Sequence, residues 1–252
     1  MAARTLKSIR SCGVALAVAL GLAAAASAAD LTVGAGSTLD LGTGSVALGC
    51  ADLGVAGTLM AGTVGFSTAR DVSIDPSGVL YGNSATLSLS GDWNNAGSFN
   101  RGTSTVQMVD GCALSSGVVA GNTNFTNLVI HTSTARQVRF TAGSTQTTRG
   151  MLDVFGAAGQ LLQIRSTEDG SAAFLYALGP SSAGYVSVQD IDALAGNDVA
   201  LPPNSVKGPN TPGWLFGLPV PMLAPAALAL LALLLLVSGQ RWLPGSTRAD
   251  PG

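Results

Sequence analysis

Residues 31–48 read LTVGAGSTLDLGTGSVAL. Leu31 and Val33, Leu39 and Leu41, and Val46 and Leu48 are apolar pairs two residues apart, separated by Gly34-Ala35-Gly36-Ser37 and Gly42-Thr43-Gly44-Ser45. Alternation at period two puts each pair on one face of an extended strand and the small residue between them on the other. The pattern continues through Leu53/Val55, Val64/Phe66, Val72/Ile74, Leu87/Leu89, Val106/Met108, Leu128/Ile130, Val138/Phe140, Leu152/Val154 and Val186/Val188. Strands this short, recurring at roughly seven to ten residues, suit a parallel β-solenoid or an antiparallel sandwich.

Three features favour the solenoid. The breaks lack the Asn-Gly and Asp-Gly hairpin turns that a sandwich would use repeatedly. Small residues flank the pairs, as corners between stacked coils require. Asn recurs at break positions (Asn94, Asn95, Asn100, Asn122, Asn124 and Asn127), where stacked side-chain amides can form ladders. The expectation is an all-β chain whose ectodomain, residues 29–216, is a right-handed parallel β-helix.

Composition supports this. The middle of the chain is rich in Gly, Ser, Thr, Asn, Ala and Val and poor in Lys and Glu, a mixture that disfavours helices. Its recurring Val, Leu, Ile and Phe also set it apart from a disordered linker. Acidic residues outnumber basic ones there, so no nucleic-acid partner is expected.

The two ends carry a different signal. Arg4, Lys7 and Arg10 precede an apolar run from Val14 to Ala25, and Ala26-Ser27-Ala28 comes next. That is the order of a secretory signal peptide spanning residues 1–28, with cleavage before Ala29. Near the other end, Val220 to Val237 is apolar and uncharged, and Arg241, Trp242 and Arg248 lie beyond it. Residues 217–243 therefore read as a transmembrane segment at the cytoplasmic (inner) membrane with Arg241 as the stop-transfer charge, and 244–252 as a short cytoplasmic tail.

Pro219-Val220-Pro221-Met222-Leu223, with a hydrophobic segment and a basic tail after it, resembles the IPTL-CTERM sorting domains of Gram-negative bacteria, which share the logic of PEP-CTERM signals. Val220, Pro221 and Leu223 stand where that family has Ile, Pro and Leu, and Met222 stands in place of Thr. The resemblance implies handling by a sorting protease and a mature protein at the cell surface. Residues 87–100, LSLSGDWNNAGSFN, are similar to a stretch of large repetitive β-helix, adhesin-like surface proteins. Residues 102–106, 140–146, 161–166, 185–190 and 204–214 are similar to neighbouring segments of those proteins. Together these resemblances imply an exported structural or adhesive protein with a host surface or matrix polysaccharide as its partner.

Chemistry-bearing residues are few. Cys50 and Cys112 remain after removal of the signal peptide; they are either a disulfide or two separate buried thiols. His131 is the one histidine and stands directly after Leu128/Ile130, so neither a catalytic triad nor a zinc site is expected. Asp190 and Asp192 are two apart, so on a strand they would share a face. They are the acid/base pair for the alternative reading, a polysaccharide-degrading enzyme. Solvated turn residues are the ordinary reading of the same pair. No metal and no cofactor is expected.

Overall fold

The computed structural model describes residues 29–216, and every regular element among them is a strand. The strands pair only in parallel, coil on coil, which excludes the sandwich. Leu31–Val33, Thr38–Asp40 and Ser45–Ala47 form the first coil. About eight coils share this three-strand plan. One face is a continuous nine-stranded sheet that starts at Leu31–Val33, and a second is a seven-stranded sheet that starts at Ser45–Ala47. The third face is broken into a four-stranded sheet ending at Ser98–Asn100 and another beginning at Thr123–Phe125.

Parallel register places like positions above one another. Leu31 aligns with Leu53, Leu53 with Val72, Val72 with Trp93, and Trp93 with Val119. These inward residues, with the column Phe66, Leu87, Val106, Leu128 and Leu152 from the second face, make one apolar core along the interior. Most of the apolar pairs read from the sequence lie on these two faces. Leu41 and Leu48 fall just beyond their strands, which are Thr38–Asp40 and Ser45–Ala47.

The asparagines do not stack amide on amide. Asn95 turns inward, and its Nδ2 donates to Asn122 O and Thr123 Oγ1. Asn122 Oδ1 accepts from Thr145 N, and Asn127 Oδ1 from Met151 N. Because coils differ in length, with 19 positions from Asp52 to Asp71 but 26 from Asp92 to Val118, these asparagines fall in different columns. Their amides serve neighbouring backbone instead.

Where the broken third face leaves a gap, Trp93 and Phe99 from one coil meet Phe125 from the next. Ring centroids are 5.0 Å apart for Trp93–Phe99 and 5.4 Å for Trp93–Phe125. Trp93 Nε1 is satisfied by Thr123 Oγ1 at 3.1 Å. Large rings fill the space that strand pairing no longer closes.

One corner demands a left-handed backbone in four consecutive coils: φ is 63° at Gly42, 62° at Gly62, 46° at Asn83 and 55° at Gly102. A Cβ at Gly62 would also lie 1.9 Å from Gly42 O. Gly62→Ala should therefore lower unfolding stability by about 3 kcal/mol in chemical denaturation. Asn83→Gly, where no clash is relieved or created, should stay within about 1 kcal/mol of the parent.

Candidate functional site

The nine-stranded face carries a column of charge. Asp30, Asp52, Asp71 and Asp92 each stand one residue before an inward apolar residue (Leu31, Leu53, Val72 and Trp93), so register stacks them at the sheet edge. Each carboxylate accepts the backbone N–H of the equivalent residue in the next coil. Asp30 Oδ1 takes Asp52 N at 3.0 Å, Asp52 Oδ1 takes Asp71 N at 3.3 Å, and Asp71 Oδ1 takes Asp92 N at 2.7 Å. Asp92 Oδ1 takes Val118 N at 2.7 Å. The first three N–H groups sit one residue before their strands, and that of Val118 lies within Ser116–Ala120 at a position with no strand partner in the preceding coil, so the carboxylates extend the hydrogen-bond ladder.

Stacked carboxylates one coil apart repel. Arg70 relieves the middle of the column by pairing with Asp52 and, at 3.1 Å, with Asp71. Those hydrogen bonds, to Asp52 first, raise the pKa of its guanidinium above the ordinary value. The four aspartates, with Thr32, Gly54, Ser73 and Asn94 beside them, line an open groove of about 310 Å³.

The same column changes sign further along. Val118 aligns with Arg139, Arg139 with Arg165, and Arg165 with Gln189. Arg139 is exposed, with Nε on Gln137 Oε1 at 2.5 Å. Arg165 is half-buried and lies along the sheet, donating to Ser187 O and, at 2.9 Å, Ser187 Oγ. Desolvation lowers its pKa, while Asp190 and Asp169 act in the opposite direction.

The adjoining corner is strapped. Cys50 and Cys112 are bonded, with Cα atoms 5.5 Å apart and a sequence separation of 62. The 26-residue coil that contains Cys112 carries extra residues at this corner. They fold back past Ser90, whose hydroxyl lies 3.5 Å from Cys112 Sγ, and past Thr68, to reach the first coil. Asp110 roots the strap in the following coil: Thr132 Oγ1 and Ser133 N lie 2.6 Å from its carboxylate, Ser133 Oγ 2.9 Å and Thr134 Oγ1 3.1 Å. Burial pushes the Asp110 carboxyl up, but the hydrogen bonds outweigh it and hold the group below the usual carboxylate range. Beneath the strap, Arg136 is 1 % exposed and donates to Val109 O and Ser90 O. Desolvation lowers its pKa, against the attraction of Asp110 and Asp92.

Asp190 and Asp192 do not share a strand face. Asp190 has φ 54° and forms the corner between Val186–Gln189 and Ile191–Asp192. It is 3 % exposed, and its carboxylate is occupied by Gly170 N, Gln189 Nε2 and Asn210 Nδ2 at 3.0–3.2 Å. Burial pushes its pKa up and these donors, with Arg165, bring it below the ordinary value. Asp192 instead accepts Leu194 N in a local turn.

His131 Nε2 lies 2.8 Å from Asp153 Oδ2, and Ser182 donates to the other oxygen of that carboxylate. The carboxylate is therefore the middle member. A hydrolytic triad needs the imidazole there, to take the serine proton. Among the described residues, no three His, Cys, Asp or Glu side chains converge as metal ligands. Val220, Pro221, Leu223 and Arg241, and the signal-peptide residues 1–28, lie outside the described residues. No known protein family, curated protein or solved structure matches this chain.

The strap and the hydrogen-bonded carboxylates of Asp110 and Asp190 set two expected outcomes. Cys112→Ser should lower the apparent melting temperature by roughly 10 °C, the equivalent of about 4 kcal/mol for a loop of this length. Asp110 and Asp190 have folded-state pKa values below the unfolded value of about 3.9, so they stabilise the fold above that pH and stop doing so as pH falls through the folded values. Acid titration of Asp110→Asn and Asp190→Asn should show a shallower loss of stability below about pH 4 than the parent shows.

Proposed function

We propose that this chain is an exported structural or adhesive protein of the bacterial cell surface, without enzymatic activity. The observation that carries this reading is the Cys50–Cys112 bond. A disulfide that ties one coil to another at a corner persists in an oxidising compartment, not in a reducing cytosol. The signal-like residues 1–28 supply the route, and residues 217–243 supply the hold on the cytoplasmic (inner) membrane through Arg241. Val220, Pro221 and Leu223 would present the segment to a sorting protease of a Gram-negative envelope.

In this reading the right-handed coil serves as a rod. Its backbone hydrogen bonds run along the axis, and each coil is stabilised by its neighbours. Outward Ser98, Asn100 and Asn124 on the third face illustrate the polar surface it offers to a matrix polysaccharide or host surface through many weak contacts.

Fractionation of cells making the full chain, with intact mass of the recovered species, tests the proposal. A surface species that begins near Ala29, ends before Val220 and is lighter by two hydrogens than its reduced form is expected. A chain recovered whole from the cytosol with free thiols would overturn it.

A further inference from the structure

The charge column does more than cap backbone. Along one register line the order is Asp30, Asp52, Asp71, Asp92, Val118, Arg139, Arg165 and Gln189. Four acids occupy one half, two arginines lie in the other, and an uncharged, half-buried Val118 separates them. We propose that this face joins two copies of the chain face to face, with their solenoid axes antiparallel.

The case rests on symmetry and charge. A two-fold axis that runs along the strand direction at Val118 lays the column on itself in reverse. Asp92 then faces Arg139 of the second copy, and Asp71 faces Arg165; each pair occurs twice, as an isologous interface requires. Pairing with the axes parallel would instead set Asp on Asp along four coils, an arrangement opposed by like charge. The neighbouring outward positions include Gly54, Ser73 and Ala120, whose small side chains leave room beside the column for a second chain to approach. Arg139 is exposed and its guanidinium contacts no carboxylate among the described residues. Asp92 is exposed, and one of its oxygens is free of the Val118 N–H.

The full-length chain carrying Val118→Cys provides the test, because a residue on a two-fold axis meets itself. Under mild oxidation a covalent dimer should form, while Asn124→Cys on the broken third face should give none. Peptide masses from an unreduced digest of the dimer should show Cys50 and Cys112 still joined within each copy. Raising the salt from 50 mM to 500 mM should cut the rate of dimer formation roughly tenfold, since exposed charge pairs are screened beyond a few ångströms at that strength. Independently, Arg139→Asp should abolish association, whereas Arg139→Lys, which keeps the charge, should retain it. Equal crosslinking at Val118→Cys and Asn124→Cys, salt-independent association, or a chain that stays monomeric at low salt would each overturn the proposal. So would association with another molecule through this face while copies of the chain ignore one another.

Discussion

Parallel, in-register pairing of each coil with the next is the constraint on which this molecule depends. A strand here has no hydrogen-bonding partner within its own coil, so its N–H and C=O groups are satisfied only by the coils on either side. Corners must therefore reverse direction without breaking the stack. Gly42, Gly62, Asn83 and Gly102 do this at one corner with a left-handed residue in each coil. At the corner before the nine-stranded face, the aspartate carboxylates take the N–H groups that strand pairing does not reach. Side-chain chemistry and backbone register are one system: moving an aspartate would strand a neighbour's N–H.

The two long faces were legible in the sequence because most of their strands place two apolar residues inward at period two, as Leu53/Val55, Val72/Ile74, Leu87/Leu89 and Val186/Val188 do. The third face was not. Thr58–Met60 and Val79–Tyr81 bury one large apolar residue each, Leu59 and Leu80, and a single residue has no period. Thr145–Thr148 turns Gln146 and Thr148 inward, so it reads as a polar break although both are fully buried. Gln146 is tolerated there because its Nε2 donates to Gly121 O.

The charged column left a trace that periodicity alone does not weigh. Asp30-Leu31, Asp52-Leu53, Asp71-Val72 and Asp92-Trp93 repeat an acid directly before an inward residue, at intervals close to one coil. Coil length varies, so the repeat becomes visible only when register aligns it. Asp190 and Asp192 misled in the opposite sense. Their spacing suits a strand, but a left-handed residue at Asp190 places a corner between them, and no spacing rule reveals a corner whose turn residue is not Gly.

The strap has a position that stability in a stacked array explains. The first described coil pairs on one side only, and its Leu31, Leu39, Leu41 and Val46 are only partly buried. In a nearest-neighbour array such a terminal coil has half the contacts of an interior one and is the first to open. Cys50 belongs to that coil, and its partner Cys112 belongs to the coil at which the third face breaks. The bond thus joins the two weak points along the described coils, the first coil and the seam. Trp93, Phe99 and Phe125 pack the seam from within, while Asp110 and Arg136 tie the strap to the coil beyond it. Opening the first coil alone then leaves the disulfide tethering it across two intact coils, which shortens the excursion and favours reclosing. Loss of the end coil becomes coupled to disruption of the seam, and a segment that would fray coil by coil gains the cooperativity of a unit four coils long.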